Sequence, residues 1–294
     1  MRASSSSREV RVRRTVALAV AGVGFLWQGV VPVLAQSEPP KPPPILSIYR
    51  EQVKPGKGGA HEKNELAWVQ ALAKAKAPAH YIAMTSVTGP DEAWFIEARD
   101  SFASVQKDEE AIMGNAALSA EIDAITARDG ELLTASSHML AVRRDDLGYR
   151  VGGRDIAKMR YVAATTIHVK PGYERDFVAF RKVVNEAHEK ANMDEQWSAW
   201  EVISGAPSGT FLIFQPLASM AEMDGYRDMH GKEYQETMGE DNRARMRDLT
   251  REAIQSSTNQ VFAFNPKMSH VTAEFAARDP EFWTPKPAAE PKKK

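Results

Sequence analysis

Val53-Lys54-Pro55-Gly56 closes the run Ile45 to Val53, and the same four residues return as Val169-Lys170-Pro171-Gly172 at the end of Val162 to Val169. Each copy sits between a short apolar run and an amphipathic helical pattern, so both read as the end of a strand turning into a helix. Two weaker echoes follow: Ser101-Phe102-Ala103 returns as Ser219-Met220-Ala221, and Ser136-Ser137 as Ser256-Ser257. The separations are 116, 118 and 120 residues, a drift that suits one module present twice with short insertions.

The first module reads in full from that anchor. Ile45 to Val53 is a strand, and a helix is expected from Ala60 to Ala77 because Leu66, Val69, Ala73 and Ala77 recur at steps of three and four before Pro78. Tyr81 to Val87 and Ala93 to Ala98 read as paired strands around the turn Thr88-Gly89-Pro90-Asp91. Ser101 is a candidate N-cap, Gly114-Asn115 breaks the second helix, and His138 to Arg143 is a fourth strand. The second module repeats this order. Phe177, Phe180, Val184, Ala187 and Ala191 form its first helical stripe, Ser198 to Ile203 and Phe211 to Gln215 are strands, His230-Gly231 interrupts its second helix, and Gln260 to Phe264 closes it.

The ends read differently. Arg2, Arg8, Arg11, Arg13 and Arg14, the apolar stretch Val16 to Val31 and Val33-Leu34-Ala35 have the layout of a signal peptide over residues 1–35. The general secretory route fits better than a twin-arginine signal, since Arg13-Arg14 is followed by Thr15-Val16-Ala17. Residues 36–44 form a Pro-rich linker, 45–150 the first module, 151–268 the second, and 269–294 a C-terminal extension with a disordered tail. Removing the signal takes five Arg and one Glu from 38 basic and 39 acidic residues, leaving 33 and 38 and a charge near −5. That balance argues against nucleic acid as a partner and against stable membrane insertion after cleavage. The expected location is periplasmic or secreted, with a homo-oligomer possible. Zero cysteines removes disulfides, thiolate metal sites and cysteine nucleophiles.

A β-α-β-β-α-β module of this size is ferredoxin-like, and the expected fold class is α+β, with two tandem modules forming an intrachain α/β barrel. The duplication, the Val-Lys-Pro-Gly turn and the start of the second helix at Ser101 and Ser219 resemble the dimeric α/β-barrel superfamily over residues 45 to 265. That superfamily includes antibiotic-biosynthesis-type monooxygenases, NIPSNAP-like proteins and haem enzymes of the chlorite dismutase type. The resemblance implies two sheets closing face to face with a small-molecule pocket. It leaves open a cofactor-independent monooxygenase, a haem-dependent oxidoreductase, or a structural barrel with a filled interior.

If Val53 and Val169 face the helices, alternation sends Arg50, Gln52, Thr166 and His168 into the barrel. Aligning Trp94 with Phe211, an offset of 117, adds Phe95 and Glu97 together with Leu212 and Phe214. The ligand-binding candidates are therefore Arg50, Glu97, Thr166, His168, Phe95 and Phe214. His168 and Glu97 are the candidates for proton transfer. The plainer alternative is an interior Arg50–Glu97 ion pair beside a hydrogen-bonded His168. His61-Glu62-Lys63-Asn64-Glu65 opens like a zincin helix but carries Glu65 where a second histidine is needed, so no metal site is expected. No cofactor is expected either. Haem remains an alternative through the resemblance, which points to His188 or His230 as its axial ligand. Gly205-Ala206-Pro207-Ser208-Gly209 is not a nucleophile elbow, and Gly56-Lys57-Gly58-Gly59 is not a P-loop.

Overall fold

The computed structural model describes residues 42–227 and 231–284. The expected signal peptide, His230 and the tail beyond residue 284 lie outside the described residues. Among the described residues, no helix is long and apolar enough to cross a membrane.

Eight strands carry the fold: β1 (Ile45–Val53), β2 (Ile82–Ser86), β3 (Glu92–Arg99), β4 (Leu133–Arg143), β5 (Tyr161–Val169), β6 (Ser198–Ser204), β7 (Thr210–Leu217) and β8 (Ile254–Phe264). They form one closed barrel in the order β1-β3-β2-β8-β5-β7-β6-β4. All pairings are antiparallel, so β1 and β5 run in the same direction. The helices are α1 (Gly58–Ala75), α2 (Phe102–Met113), α3 (Ala116–Leu132), α4 (Glu174–Lys190), α5 (Lys232–Glu252), α6 (Ala273–Ala277) and α7 (Pro280–Trp283). Within each half the strand order is the same, β4-β1-β3-β2 and β8-β5-β7-β6. The halves do not remain two facing sheets, as the sequence reading expects. Pairing of β2 with β8 and of β4 with β6 seals both seams, so no strand edge is left open between them.

The repeated tetrapeptide does the same work in both places. The register shifts at Gln52/Val53 and at His168/Val169, and Gly56 and Gly172 follow with φ of 78° and 91°. The lysines then close the turn. Lys54 Nζ donates to the Glu131 carbonyl at 3.0 Å and Lys170 Nζ to the Glu252 carbonyl at 2.8 Å, which satisfies last-turn carbonyls of α3 and α5. Ser101 and Asn115 cap α2 and α3 by accepting from the backbone N–H of Ser104 and Leu118, and Gly114 ends α2 between them.

Alternation along the strands sorts the core into an inside and an outside. Leu46, Ile48, Met84, Trp94, Ala164, Trp200, Leu212, Phe214 and Phe262 fill the barrel. Outside, α1 and α3 bury Leu72, Leu118 and Ile125 against Ala83, Ala93 and Phe95. α4 buries Phe177 against Ile167, Phe211 and Ile213, while its Phe180, Val184 and Ala187 meet Met238 of α5. The first part of the C-terminal extension is structured. Through residue 284 it folds back on the barrel, with Phe275, Phe282 and Trp283 packed on the inner core and Trp283 Nε1 donating to the Ala157 carbonyl at 2.7 Å. Four-residue and five-residue helices give no periodicity by which a sequence reading could find them.

Candidate functional site

Arg50, Thr166, His168 and Phe214 lie on the inner face of the barrel, on the alternation shared with Ile48, Ala164 and Leu212. Phe95 and Glu97 do not. Phe95 packs with Tyr81 and Leu72 under α1, and Glu97 opposes Ser47 on the same outward face. The expected Arg50–Glu97 pair is therefore corrected to Arg50–Glu92. Arg50 donates to both Glu92 oxygens at 3.0 and 3.3 Å and stacks over Trp94 at 4.4 Å, while Gln52 and Trp94 Nε1 donate to the same carboxylate at 3.3 and 2.9 Å. This closed network leaves Glu92 little capacity for a ligand.

His168 sits at the same barrel end on β5, because β1 and β5 run together. Its Nδ1 is 2.8 Å from Thr210 Oγ1, and that hydroxyl donates its single proton to the Pro207 carbonyl at 2.5 Å. His168 Nδ1 is thus the donor, and the pair ties β5 to the turn before β7. The interior between these groups is packed with side chains. An apolar cavity of about 180 Å³ remains at the other end, near Leu46, Ile82, Trp200 and Phe264.

The larger cavity, about 710 Å³, lies outside the barrel, between the outward face of β1, β3 and β4 and helices α1 to α3. Tyr49, Trp68, Leu72, Tyr81 and Phe95 line it, and Glu51, Glu65, Glu97, Arg99, Asp129 and His138 supply its polar groups. Arg99 is held by Glu97 at 2.9 Å and by Asp108. His138 stacks on Tyr49 with ring centroids 4.0 Å apart, and its Nε2 is 2.9 Å from Ser47 Oγ. Burial lowers the His138 pKa, whereas burial and then Glu97 push the Tyr49 phenol up to about 12.

At the deep end, Glu51 of β1 meets His61 and Glu65 of α1. Their nearest ligand-type atoms all lie within 4.8 Å of one another, with His61 Nε2 at 2.7 Å from Glu51 and 3.9 Å from Glu65. His61 and Glu65 are buried. Asp129 of α3 adds a third carboxylate, steadied by Asn64 at 2.6 Å. Burial, then the nearby Glu51 and Asp129, push the Glu65 carboxyl up to about 9, and burial raises Asp129 as well. Tyr81 is 6% exposed, and its hydroxyl has no hydrogen-bond partner. Burial raises its pKa, with Glu65 the foremost of the neighbouring charges.

Among the described residues of the second half, α4 packs Phe177 on the sheet and Phe180, Val184 and Ala187 against Met238. His188, the axial-ligand candidate that the resemblance implies, donates from Nδ1 to the Val184 carbonyl at 2.8 Å, and its ring is wedged at 4.8 Å from both Trp197 and Tyr234. A haem at His188 does not fit that packing.

No family model matches the sequence, and no curated protein matches it. In all, 43 solved chains match in structure. A proposed monooxygenase of Fusobacterium nucleatum subsp. nucleatum is 12% identical, with 76% of this chain and 93% of that chain covered and a TM-score of 0.47. An anthrone oxidase-like protein is 12% identical over 75% of this chain and 91% of that one, TM-score 0.47. A chlorite dismutase variant of Candidatus Nitrospira defluvii is 10% identical over 77% and 92%, TM-score 0.43. At such identities function has to be read from the site itself.

Proposed function

We propose that this chain is an exported α/β-barrel protein, built from two copies of one module, that binds a small, partly apolar molecule between the sheet and helices of its first half. The observation that carries this reading is the cavity of about 710 Å³, with aromatic walls and a few convergent polar groups. Its larger volume favours the outward face of the sheet over the apolar cavity of about 180 Å³ at the barrel end. Equal strand order in the halves and the shared tetrapeptide turn support the duplication. Export rests on the amino-terminal pattern and predicts a mature terminus at Gln36, readable by mass spectrometry of the exported protein.

The test of binding is a panel of quinones, polyphenols and fatty acids, read by Trp fluorescence and thermal melting. A bound aromatic should quench Trp68 and raise the melting temperature. Phe95→Ala, which alters the cavity wall, should weaken that response about tenfold or more, while Phe214→Leu inside the barrel should leave it unchanged. If no compound shifts the wild-type melt, the reading fails.

A second reading is a cofactor-independent monooxygenase, and the position of His138 in the cavity wall beside Tyr49 favours it. A neutral imidazole at a cavity wall can take the proton of a bound phenol, and the phenolate then becomes the electron donor to dioxygen. Oxygen consumption with the same panel separates the two. Turnover that drops ~10²-fold or more in His138→Gln supports catalysis, and binding without oxygen uptake leaves the protein a binder.

A further inference from the structure

We infer that Glu51, His61 and Glu65 form a binding site for one divalent first-row transition cation at the deep wall of the helix-side cavity. Three observations converge on it. The first is geometric. One helix presents His61 and Glu65 four residues apart on a buried face, and β1 brings Glu51 against them, so three donors from two elements lie within 4.8 Å. Metal–ligand distances near ~2.1 Å place neighbouring donors about 3.4 Å apart in a tetrahedron. The His61–Glu65 separation of 3.9 Å and the His61–Glu51 separation of 2.7 Å bracket that value, so small rotamer adjustments suffice.

The second is charge. Glu51, Glu65 and Asp129 surround a single imidazole, and Arg128 reaches the group only through Asn64, at 2.8 Å. A buried pocket with more carboxylates than cations either retains protons or takes up a positive ion.

The third is independent of the carboxylates. Tyr81, more than nine-tenths buried in the wall of this cavity, has a hydroxyl with no partner, and Glu65 is its leading charged neighbour. A buried hydroxyl left unpaired costs about 1–3 kcal/mol. A hydrated cation held by Glu65 supplies the missing partner.

One nitrogen with carboxylate oxygens, in a chain without cysteine, suits Zn²⁺, Mn²⁺ or Fe²⁺ better than thiophilic ions. Glu51, Glu65 and Asp129 line the cavity, so the ion's remaining positions open towards it. A bound molecule with a carbonyl or phenolate oxygen could then approach the cation directly. The inference does not depend on the identity of an organic ligand, because its probe is the metal alone.

The test uses the full chain, stripped with chelator and titrated with Zn²⁺ and, separately, Mn²⁺. Calorimetry should find one ion per chain, the melting temperature should rise, and Mn²⁺ should show an altered electron-spin resonance signal. His61→Ala should abolish this binding, and the isosteric Glu51→Gln and Glu65→Gln should each weaken it about tenfold or more. His188→Gln, remote from the cluster, should leave it intact. If His61→Ala fails to fold, the two glutamine variants decide, since they keep volume and hydrogen bonding. Absence of binding to the wild type, or binding that survives both glutamine variants, overturns the inference.

Discussion

Arg50 and Glu92 show how differently a charge behaves on the two faces of one strand. Glu92 is almost wholly buried inside the barrel and is held by Arg50, Gln52 and Trp94. Removing Arg50 strands a buried carboxylate, so Arg50→Ala should cost about 3–5 kcal/mol in urea unfolding. Arg50→Met together with Glu92→Gln should recover most of that loss. Neither variant should change ligand or metal affinity, because the network faces away from the helix-side cavity. One residue along, Glu51 points outward to His61. The sequence already implied that outward direction, since it sent Arg50 and Gln52 inward. What the sequence does not display is the arrival of α1, which sets His61 and Glu65 against Glu51 of the strand.

At the level of elements, the strand-helix order was legible because the Val-Lys-Pro-Gly turn and the helical stripes are local signals. The faces of β3 were not. Arg50 opposes Trp94 and Thr166 opposes Leu212, so equivalent positions on β3 and β7 differ by 118 (212 − 94) rather than 117. That single step carried Phe95 and Glu97 to the wrong side, as any slip of one residue must in a period of two. Turns set such registers, and Gly205 is the tightest of them. Its φ is +85°, and a Cβ there would stand 1.9 Å from the His138 carbonyl oxygen, backbone that cannot yield. Gly172 has φ +91° but open space around it. Gly172→Ala should therefore cost about 1–2 kcal/mol from conformation alone. Gly205→Ala should cost about 3 kcal/mol or more and loosen the β4–β6 seam, which hydrogen exchange across Leu140 to Arg143 would reveal. Equal losses for the two would refute the steric account.

Across the whole molecule, His138, His188 and His270 all have their pKa lowered by burial. A histidine depressed in the folded state gives stability that is present above its unfolded value of about 6.5 and is lost as pH falls through the folded value. Each can contribute a slope of at most about 1.4 kcal/mol per pH unit. His188 is the clearest case. Besides Trp197 it faces Tyr149, Tyr234, Glu195 and Arg181, with Glu195 favouring its charged form and Arg181 opposing it. His188→Gln should make the decline in melting temperature between pH 7 and pH 5 shallower than in the wild type, and an unchanged slope would contradict this.

A barrel assembled from two identical chains must offer two identical cavities, one under each set of helices. In this single chain the space beneath α1 to α3 is open, while beneath α4 and α5 it is packed with Phe177, Phe180, His188 and Met238. A single chain is under no such symmetry constraint, so a substitution on one side need not be repeated on the other. For the proposed site the expectation is one occupant in the first-half cavity and a hyperbolic binding curve.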